Sequence, residues 1–96
     1  MLVVITYDIS LTDKSGTSRL RKISKECVNY GQRVQNSVYE CNVDASELAL
    51  LKNKLLKIID LNQDSLRIYK LGNNYKTKIE HYGVKVSYDA EDTLLI

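Results

Sequence analysis

Residues 2–9 restrict the possible folds of this chain more than any other segment, because they are apolar at odd and at even positions alike. Leu2 to Ile5 run without a polar residue, and Tyr7 and Ile9 follow at alternate positions. A strand with apolar side chains on both sides is buried on both sides. We therefore expect a central strand whose two faces both need to be covered.

The length and hydropathy of the chain predict a single globular domain. A chain of 96 residues is one domain. A domain of this size buries roughly 60–65% of the surface that its unfolded chain exposes, so burial against a partner would add to its stability. No apolar run approaches the ~20 residues of a membrane span. No basic stretch precedes the apolar opening, so we expect neither a membrane segment nor a signal peptide.

The two cysteines predict a cytoplasmic protein. Cys27 and Cys41 lie among apolar neighbours without CxxC spacing, which is typical of buried free thiols in a reducing compartment. A structural zinc site is excluded, since His81 is the only histidine and four ligands cannot be assembled.

Apolar spacing predicts two helices and several strands. A stripe at helical spacing predicts the first helix over residues 15–30, which Gly31 is placed to end in a left-handed conformation. Asp44 and Glu47 form a capping-box pair that opens a second helix, running to about residue 61. Strands are predicted over residues 33–43, 65–71 and 77–82, the first of them as one long or bent strand.

This order of elements favours a ferredoxin-like α+β fold, a two-layer sandwich with an antiparallel sheet and two helices on one face. The order is β-α-β-β-α-β only if residues 33–43 break into a hairpin; as one strand they give β-α-β-α-β-β. No helix remains to cover the other face of the sheet. A second copy of the chain is the simplest way to bury it, so we expect a homodimer through that face. We expect residues 1–83 to form the domain and residues 84–96 to add an edge strand to their own or the partner's sheet.

Asp8 is the first candidate for chemistry, because it ends the buried strand and precedes a polar loop. A carboxylate suits a hard cation such as Mg²⁺, which takes one or two carboxylates and keeps several waters. A two-fold dimer would bring two copies of Asp8 together; the alternative is that Asp8 caps the loop at residues 10–13. No glycine-rich phosphate loop and no triad spacing is present, and His81 is more typical of a structural histidine.

The distribution of charge suggests a phosphate-binding surface, although the net charge is only +2. Residues 14–33 contain a single acid, Glu26, against six basic residues: Lys14, Arg19, Arg21, Lys22, Lys25 and Arg33. One basic face on a nearly neutral protein fits nucleic acid, and the alternative is an ordinary solvated helix face. Tyr7, Tyr30 and Tyr39 could stack on bases, although tyrosines in alternating apolar segments are more typical of a core.

Four segments carry a family resemblance: Val4-Ile5-Thr6-Tyr7-Asp8-Ile9, Arg19-Leu20-Arg21-Lys22, residues 30–40, and Ser65-Leu66-Arg67-Ile68-Tyr69-Lys70-Leu71. In this order and spacing they resemble the small CRISPR-associated protein family of spacer acquisition, the second of its two universal components. The strand-end Tyr-Asp and the Arg-Val-Gln-x-Ser-Val-Tyr-Glu run are specific in combination. The resemblance covers about residues 1–83, and the sequence from residue 72 onward is similar to one subgroup, for which subtype I-C is the candidate.

The resemblance implies a ferredoxin-like homodimer whose tail strand joins the partner's sheet. It implies a divalent-metal site to which each protomer contributes Asp8. Members are described as metal-dependent endonucleases on RNA or double-stranded DNA, and also as non-catalytic scaffolds that hold DNA between integrase dimers. Further residues fall where the family places its active cleft or its nucleic acid: Tyr7, Arg19, Arg21, Arg33, Ser37 and Tyr39.

The mechanism that we expect is hydrolysis of phosphodiester bonds. Paired Asp8 carboxylates would hold Mg²⁺, or Mn²⁺, which polarises a phosphoryl oxygen or activates a water. Arg19 and Arg33 would offset the phosphodiester charge. Two alternatives stay open: a DNA-binding scaffold that bridges integrase dimers, and a toxin-like ribonuclease of similar fold. The sequence leaves open whether double-stranded DNA or single-stranded RNA is cut.

Overall fold

Two helices pack on one face of a four-stranded sheet. The computed structural model of the chain describes residues 1–84. The elements are β1 (Leu2–Asp8), α1 (Gly16–Tyr30), β2 (Gln32–Gln35), β3 (Val38–Asn42), α2 (Ala45–Ile58), β4 (Ser65–Gly72) and a short 3₁₀ turn (Lys76–Lys78). The strands lie in the order β2-β3-β1-β4, and every pair is antiparallel. The expected α+β fold is confirmed.

The segment predicted as one strand over residues 33–43 is a hairpin. Asn36 and Ser37 form the turn between β2 and β3, and Ser37 has a φ of 60°, in the left-handed region. The hairpin is also irregular, because the register of β2 against β3 shifts between the pair Arg33–Tyr39 and the pair Gln35–Val38. The order β-α-β-α-β-β is therefore wrong, and β-α-β-β-α-β is observed. A polar residue that adopts a left-handed conformation reverses the chain without the Asn-Gly signal of common hairpins.

Gly31 ends α1 in an extended conformation, not the predicted left-handed one, since its φ is −162°. Its N–H still donates to the carbonyl oxygen of Cys27 at 2.9 Å, closing the helix. Any residue can adopt this backbone conformation, so the reason for glycine is space. A Cβ here would collide with the carbonyl oxygen of Glu40 and the sulfur of Cys41. The end of the helix thus lies directly on β3.

The predicted capping box at the start of α2 is confirmed. The Asp44 carboxylate accepts the backbone N–H of Glu47 at 2.7 Å, and the Glu47 carboxylate accepts the backbone N–H of Asp44 at 3.0 Å. These two bonds satisfy backbone donors that have no partner inside the helix. The helix ends at Ile58, earlier than the predicted residue 61, and a loop leads to β4.

The strand predicted over residues 77–82 is absent from the part of the chain that the structure describes. A 3₁₀ turn occupies Lys76–Lys78 instead, closed by a hydrogen bond from the backbone N–H of Lys78 to the carbonyl oxygen of Tyr75 at 2.9 Å. The alternation of apolar side chains that a strand needs is too short here to overcome three polar residues in succession. The predicted tail strand lies beyond residue 84, outside the described residues.

The core lies between the sheet and the helices. Val3, Ile5 and Tyr7 alternate along β1 toward the helices, opposite Cys41 and Tyr39 of β3. The helical stripes predicted from the sequence supply the other side, since their apolar residues are buried: Ile23, Cys27, Leu48, Leu51 and Leu55. Both cysteines are free thiols buried in this core. Among residues 1–84 no helix is long and apolar enough to cross a membrane.

The other face of the sheet, which we call the open face, carries the alternate residues of β1. Val4 and Thr6 are half-buried there, and Asp8 is exposed. Thr6 pairs with Arg67 of β4, and Asp8 pairs with Ser65. Both helices pack against the opposite side, so neither covers this face. The second copy of the chain expected on the open face stays a prediction.

Candidate functional site

Asp8 lies at one end of the open face, where three connections of the chain meet. It is the last residue of β1 and pairs with Ser65, the first residue of β4. The carbonyl oxygen of Ser37, in the β2–β3 turn, accepts the backbone N–H of Tyr7 at 3.2 Å. The structure thus brings the predicted residues Asp8 and Ser37 to the same end of the sheet.

In a single chain, Asp8 presents one exposed carboxylate at this end of the sheet. Within residues 1–84 no group of three or more His, Cys, Asp or Glu side chains could hold an ion. Mg²⁺ needs only one or two carboxylates and keeps water for its other positions. An exposed carboxylate on a face without helices can meet its copy in a second chain. The donor set therefore fits a shared site for a hard cation.

Arg19 is buried in ion pairs with two carboxylates. Its Nε donates to Oδ2 of Asp64 at 2.8 Å, and its Nη1 donates to Oδ2 of Asp13 at 3.0 Å. Its Nη2 also donates to the carbonyl oxygen of Ser10 at 3.2 Å. The hydrogen bonds to the Asp13 and Asp64 carboxylates raise the pKa of Arg19, and only 9% of the residue is exposed. The structure places this predicted phosphate contact inside the protein.

Asp64 is the centre of this cluster, and its side chain is fully buried. Besides Arg19, it accepts the backbone N–H of Ser10 at 2.9 Å and that of Asp60 at 2.8 Å. Burial alone would raise the pKa of Asp64, but the hydrogen bonds from Arg19 and the two backbone amides lower it. The hydrogen bond from Arg19 lowers the pKa of the more exposed Asp13 to about 2. Neither acid carries a signal in the sequence, since each lies in an ordinary polar loop.

Three further predicted residues lie on the helix side of the sheet, away from Asp8. Tyr7 and Tyr39 are core residues. Their ring centroids lie 6.1 Å apart, and the planes of the two rings are nearly parallel. The hydroxyls of Tyr39 and Ser24 share a hydrogen bond of 2.7 Å, and burial raises the pKa of Tyr7 well above its usual range. Arg33 pairs with Tyr39 and is only 2% exposed. The interpretation of these tyrosines as core residues fits their burial.

The basic surface is smaller than the sequence predicts. Of the six basic residues between positions 14 and 33, Arg19 and Arg33 are buried. Four are exposed, and three of these lie on α1: Lys14, Arg21, Lys22 and Lys25. The three on the helix fall within an arc of roughly 100° around its axis, so they form one face. We call these four residues the α1 basic surface.

Arg67 was missed as a site residue, although it shares the open face with Asp8. It pairs with Thr6, two positions before Asp8 on β1, so the two side chains are diagonal neighbours. Arg67 is exposed, and its Nη1 donates to the hydroxyl of Tyr69 at 3.0 Å. Among the described residues no carboxylate forms an ion pair with it. The available signal was the alternation in β4, where Leu66 and the next apolar residue turn inward and Arg67 turns outward.

His81 lies apart from this cluster of residues. It lines a groove of about 340 Å³ together with side chains of the β2–β3 hairpin, among them Gln32 and Glu40. Its Nε2 lies 3.2 Å from the carbonyl oxygen of Gly83 and 3.1 Å from that of Val84. These local contacts fit the structural role expected for this histidine.

The fold and the strand-end carboxylate define a class: a ferredoxin-like sandwich with an acidic group at the end of its central strand and exposed cations nearby. Within that class the chain belongs to the CRISPR-associated Cas2 family. The family model described as "CRISPR associated protein Cas2" matches residues 1–79. The family resemblance found in the sequence is thereby confirmed, and the subtype stays a prediction.

Two relatives and two solved structures agree with this assignment. The chain is 61% identical to the CRISPR-associated endonuclease Cas2 of Halalkalibacterium halodurans, over 99% of both chains. It is 51% identical to the CRISPR-associated endoribonuclease Cas2 of Nitratidesulfovibrio vulgaris, over 100% of this chain and 94% of that one. The crystal structure of Streptococcus pyogenes Cas2 at pH 6.5 is 47% identical, with a TM-score of 0.76, over 86% of this chain and 100% of that one. A hypothetical protein from Thermus thermophilus is 34% identical, with a TM-score of 0.71, over 91% and 96%.

The names of the two relatives bear on the predicted activity. Both are nucleases by name, one an endonuclease and the other an endoribonuclease. Both names agree with the predicted hydrolysis of phosphodiester bonds, and they differ in the nucleic acid that they specify. The choice between DNA and RNA is therefore a question for experiment.

Proposed function

We propose that the chain is a divalent-metal-dependent endonuclease of CRISPR adaptation, acting as a homodimer in the cytoplasm on double-stranded DNA or single-stranded RNA. One observation carries the proposal: Asp8 presents an exposed carboxylate at the end of the central strand, on the face that neither helix covers. The nuclease names of relatives at 61% and 51% identity support it.

In this proposal each chain contributes Asp8 to one Mg²⁺ or Mn²⁺ ion between two protomers. The exposed carboxylate and the small number of protein ligands suit a cation that keeps several waters. When bound, such an ion polarises a phosphoryl oxygen or lowers the pKa of a water. Hydrolysis forms one P–O bond from water and breaks another, and the leaving oxygen takes up a proton. The two Asp8 carboxylates would hold the ion in place and so determine which phosphodiester bond of the bound nucleic acid is cut.

The positive charge that the reaction needs would come from exposed residues. Arg67 lies on the same face as Asp8 and can offset the charge of a phosphodiester there. Arg19 already neutralises two carboxylates, so it is not the residue that contacts phosphate in this proposal. Arg67 takes that role. Contacts of this kind recognise phosphate and not base edges, so we expect little sequence specificity.

The test is cleavage by the full chain and by its Asp8→Asn variant. Each is incubated with double-stranded DNA and with single-stranded RNA, in Mg²⁺, in Mn²⁺ and in EDTA. Glu80→Gln is the matched control, because it removes the same charge from another exposed carboxylate. We expect metal-dependent cleavage by the wild type and Glu80→Gln, and at least a hundredfold loss in Asp8→Asn. Equal cleavage by wild type and Asp8→Asn would show that Asp8 is not the essential group.

A second candidate function is a scaffold that holds DNA for the integrase without cutting it. The α1 basic surface favours it, because α1 lies on the side of the sheet opposite Asp8. Such a surface can bind the phosphate backbone independently of the metal site. Binding of DNA that persists in EDTA, with no cleavage of either nucleic acid in any metal, is the outcome that selects the scaffold. Co-purification with the integrase protein then tests the partner.

A further inference from the structure

We propose that Asp64 and Arg19 are positioning residues that hold the end of β1, and with it the Asp8 carboxylate, in the geometry that a shared metal ion requires. The inference rests on the proposed function and names two residues that act without touching the substrate. It also gives Arg19 a role that its burial permits.

The buried Asp64 carboxylate joins the loop that follows Asp8 to the start of β4, the strand beside it. Asp64 immediately precedes Ser65, which pairs with Asp8 across the sheet. Its Oδ1 accepts the backbone N–H of Ser10, two residues after Asp8, at 2.9 Å. The loop after Asp8 and the start of the neighbouring strand are therefore joined at one side chain that is fully removed from water. Loss of these bonds would leave the last residue of β1 beside an untethered loop.

Arg19 holds Asp64 in turn and connects it to helix α1. A guanidinium is a planar fork, so its bonds to Asp64 and Asp13 fix directions as well as distances. A further hydrogen bond runs from Arg19 to the carbonyl oxygen of Ser10, so Ser10 is held through both its N–H and its C=O. The start of α1 packs closely on the same point, since a Cβ on Gly16 would collide with the Ser10 carbonyl oxygen. The loop after Asp8 has little freedom to move.

A metal shared by two chains makes this rigidity matter. Two carboxylates from different protomers must meet one ion, and functional groups need to be held within about 0.5 Å of their productive positions. Groups that orient metal ligands typically change metal affinity by about 10–100-fold when they are mutated. The cluster around Asp64 fixes the loop next to Asp8, and we expect it to orient the Asp8 carboxylate in this way.

The test compares Asp64→Asn and Arg19→Lys with Leu51→Ala, a control that destabilises the core elsewhere. Leu51 is fully buried on α2 and takes no part in the cluster. Mn²⁺ binding is measured by electron paramagnetic resonance on the full chain, at a temperature where circular dichroism shows every variant folded. We expect the Mn²⁺ concentration at half-saturation to rise about 10–100-fold in Asp64→Asn. Arg19→Lys keeps the charge but loses the fork, so we expect a smaller rise, and Leu51→Ala should stay within about twofold of wild type.

Two outcomes would overturn the inference: an unchanged half-saturation in Asp64→Asn, or an equal rise in Leu51→Ala. If Asp64→Asn fails to fold, Arg19→Lys decides in the same way. Amide hydrogen exchange over residues 9–15 is a readout that needs no metal, and it should accelerate in the two cluster variants alone. Failure of the proposed function looks different, because wild type and Asp8→Asn would then bind Mn²⁺ equally.

Discussion

Two arginines near the end of β1 lie in opposite environments. Arg19 is buried on the helix side, where Asp13 and Asp64 neutralise it. Arg67 is exposed on the open face, where its described contact is with the neutral side chain of Tyr69. A phosphate could approach Arg67 without displacing an ion pair, whereas reaching Arg19 would require both carboxylates to leave. The charge of a residue alone therefore does not identify it as phosphate-binding. What matters is whether a carboxylate already neutralises that charge.

The contacts of the two arginines also differ in how much they contribute to the stability of the fold. The cluster around Arg19 stabilises a loop, because breaking a buried ion pair leaves an uncompensated charge inside the protein. Arg67 stacks on an exposed ring, an arrangement that contributes little to stability at the surface. We expect changes to Arg19 to act first on folding and changes to Arg67 to act first on nucleic acid.

Of the effects expected for the two arginines, the largest separates Arg67 from the α1 basic surface. Arg67→Gln should lower kcat/KM for the cleaved nucleic acid by about 100-fold, the low end of the loss seen when one group that stabilises developing charge is removed. Arg21→Gln, on α1, should cost no more than about threefold. Cleavage rates at matched ionic strength measure both. An equal loss in the two variants would mean that Arg67 acts only through the general field of the protein.

A second expected effect concerns stability. Arg19→Ala should lower the midpoint of thermal unfolding by more than roughly 10 °C, because Asp64 would remain buried without its charged partner. Arg67→Ala should change the midpoint by no more than about 2 °C. Thermal unfolding followed by circular dichroism tests both. A large loss in Arg67→Ala would contradict the division between the two arginines, and would point to a dimer contact if the variant also dissociates in sedimentation.

The fold was largely predictable from the sequence, because its signals are local. The capping box at Asp44 and the buried stripes of both helices depend on residues within a few positions of each other. The hairpin at Ser37 was not predictable in the same way, since its left-handed backbone has no glycine to mark it. The 3₁₀ turn replaced a predicted strand because a few alternating residues do not specify one.

Of the predicted site residues, Asp8 follows from the sequence pattern because it ends the buried strand, whereas Ser37 rests on the resemblance, since its turn lies inside a segment predicted as one strand. Arg19 and Asp64 are separated by 45 residues, so the ion pair that buries them is a product of the fold. Arg33 shows the same effect, since its place on the helix side depends on the register of the β2–β3 hairpin. Resemblance placed these residues near the cleft, and only three-dimensional packing shows which of them face solvent.

The smallest expected effect is a dependence of stability on pH. The pKa of Asp13 is lowered to about 2 in the folded protein, against about 3.9 for an unfolded chain. Its contribution is therefore fully present above pH 4 and is lost as the pH falls toward 2. The difference in unfolding midpoint between wild type and Asp13→Asn should narrow by a few degrees over that range. Asp64, whose pKa is also lowered, acts in the same direction. A difference that stays constant from pH 5 to pH 2 would contradict this account.

The most direct test of the central claim is the stoichiometry of Mn²⁺ binding. We expect the dimer to bind one Mn²⁺ ion per two chains, and the signal of bound Mn²⁺ to disappear in Asp8→Asn while the dimer persists in sedimentation. Mixed dimers with one wild-type and one Asp8→Asn chain should bind the ion more weakly than wild type. Binding of one ion per chain, or undiminished binding by Asp8→Asn, would contradict a metal shared between two copies of Asp8.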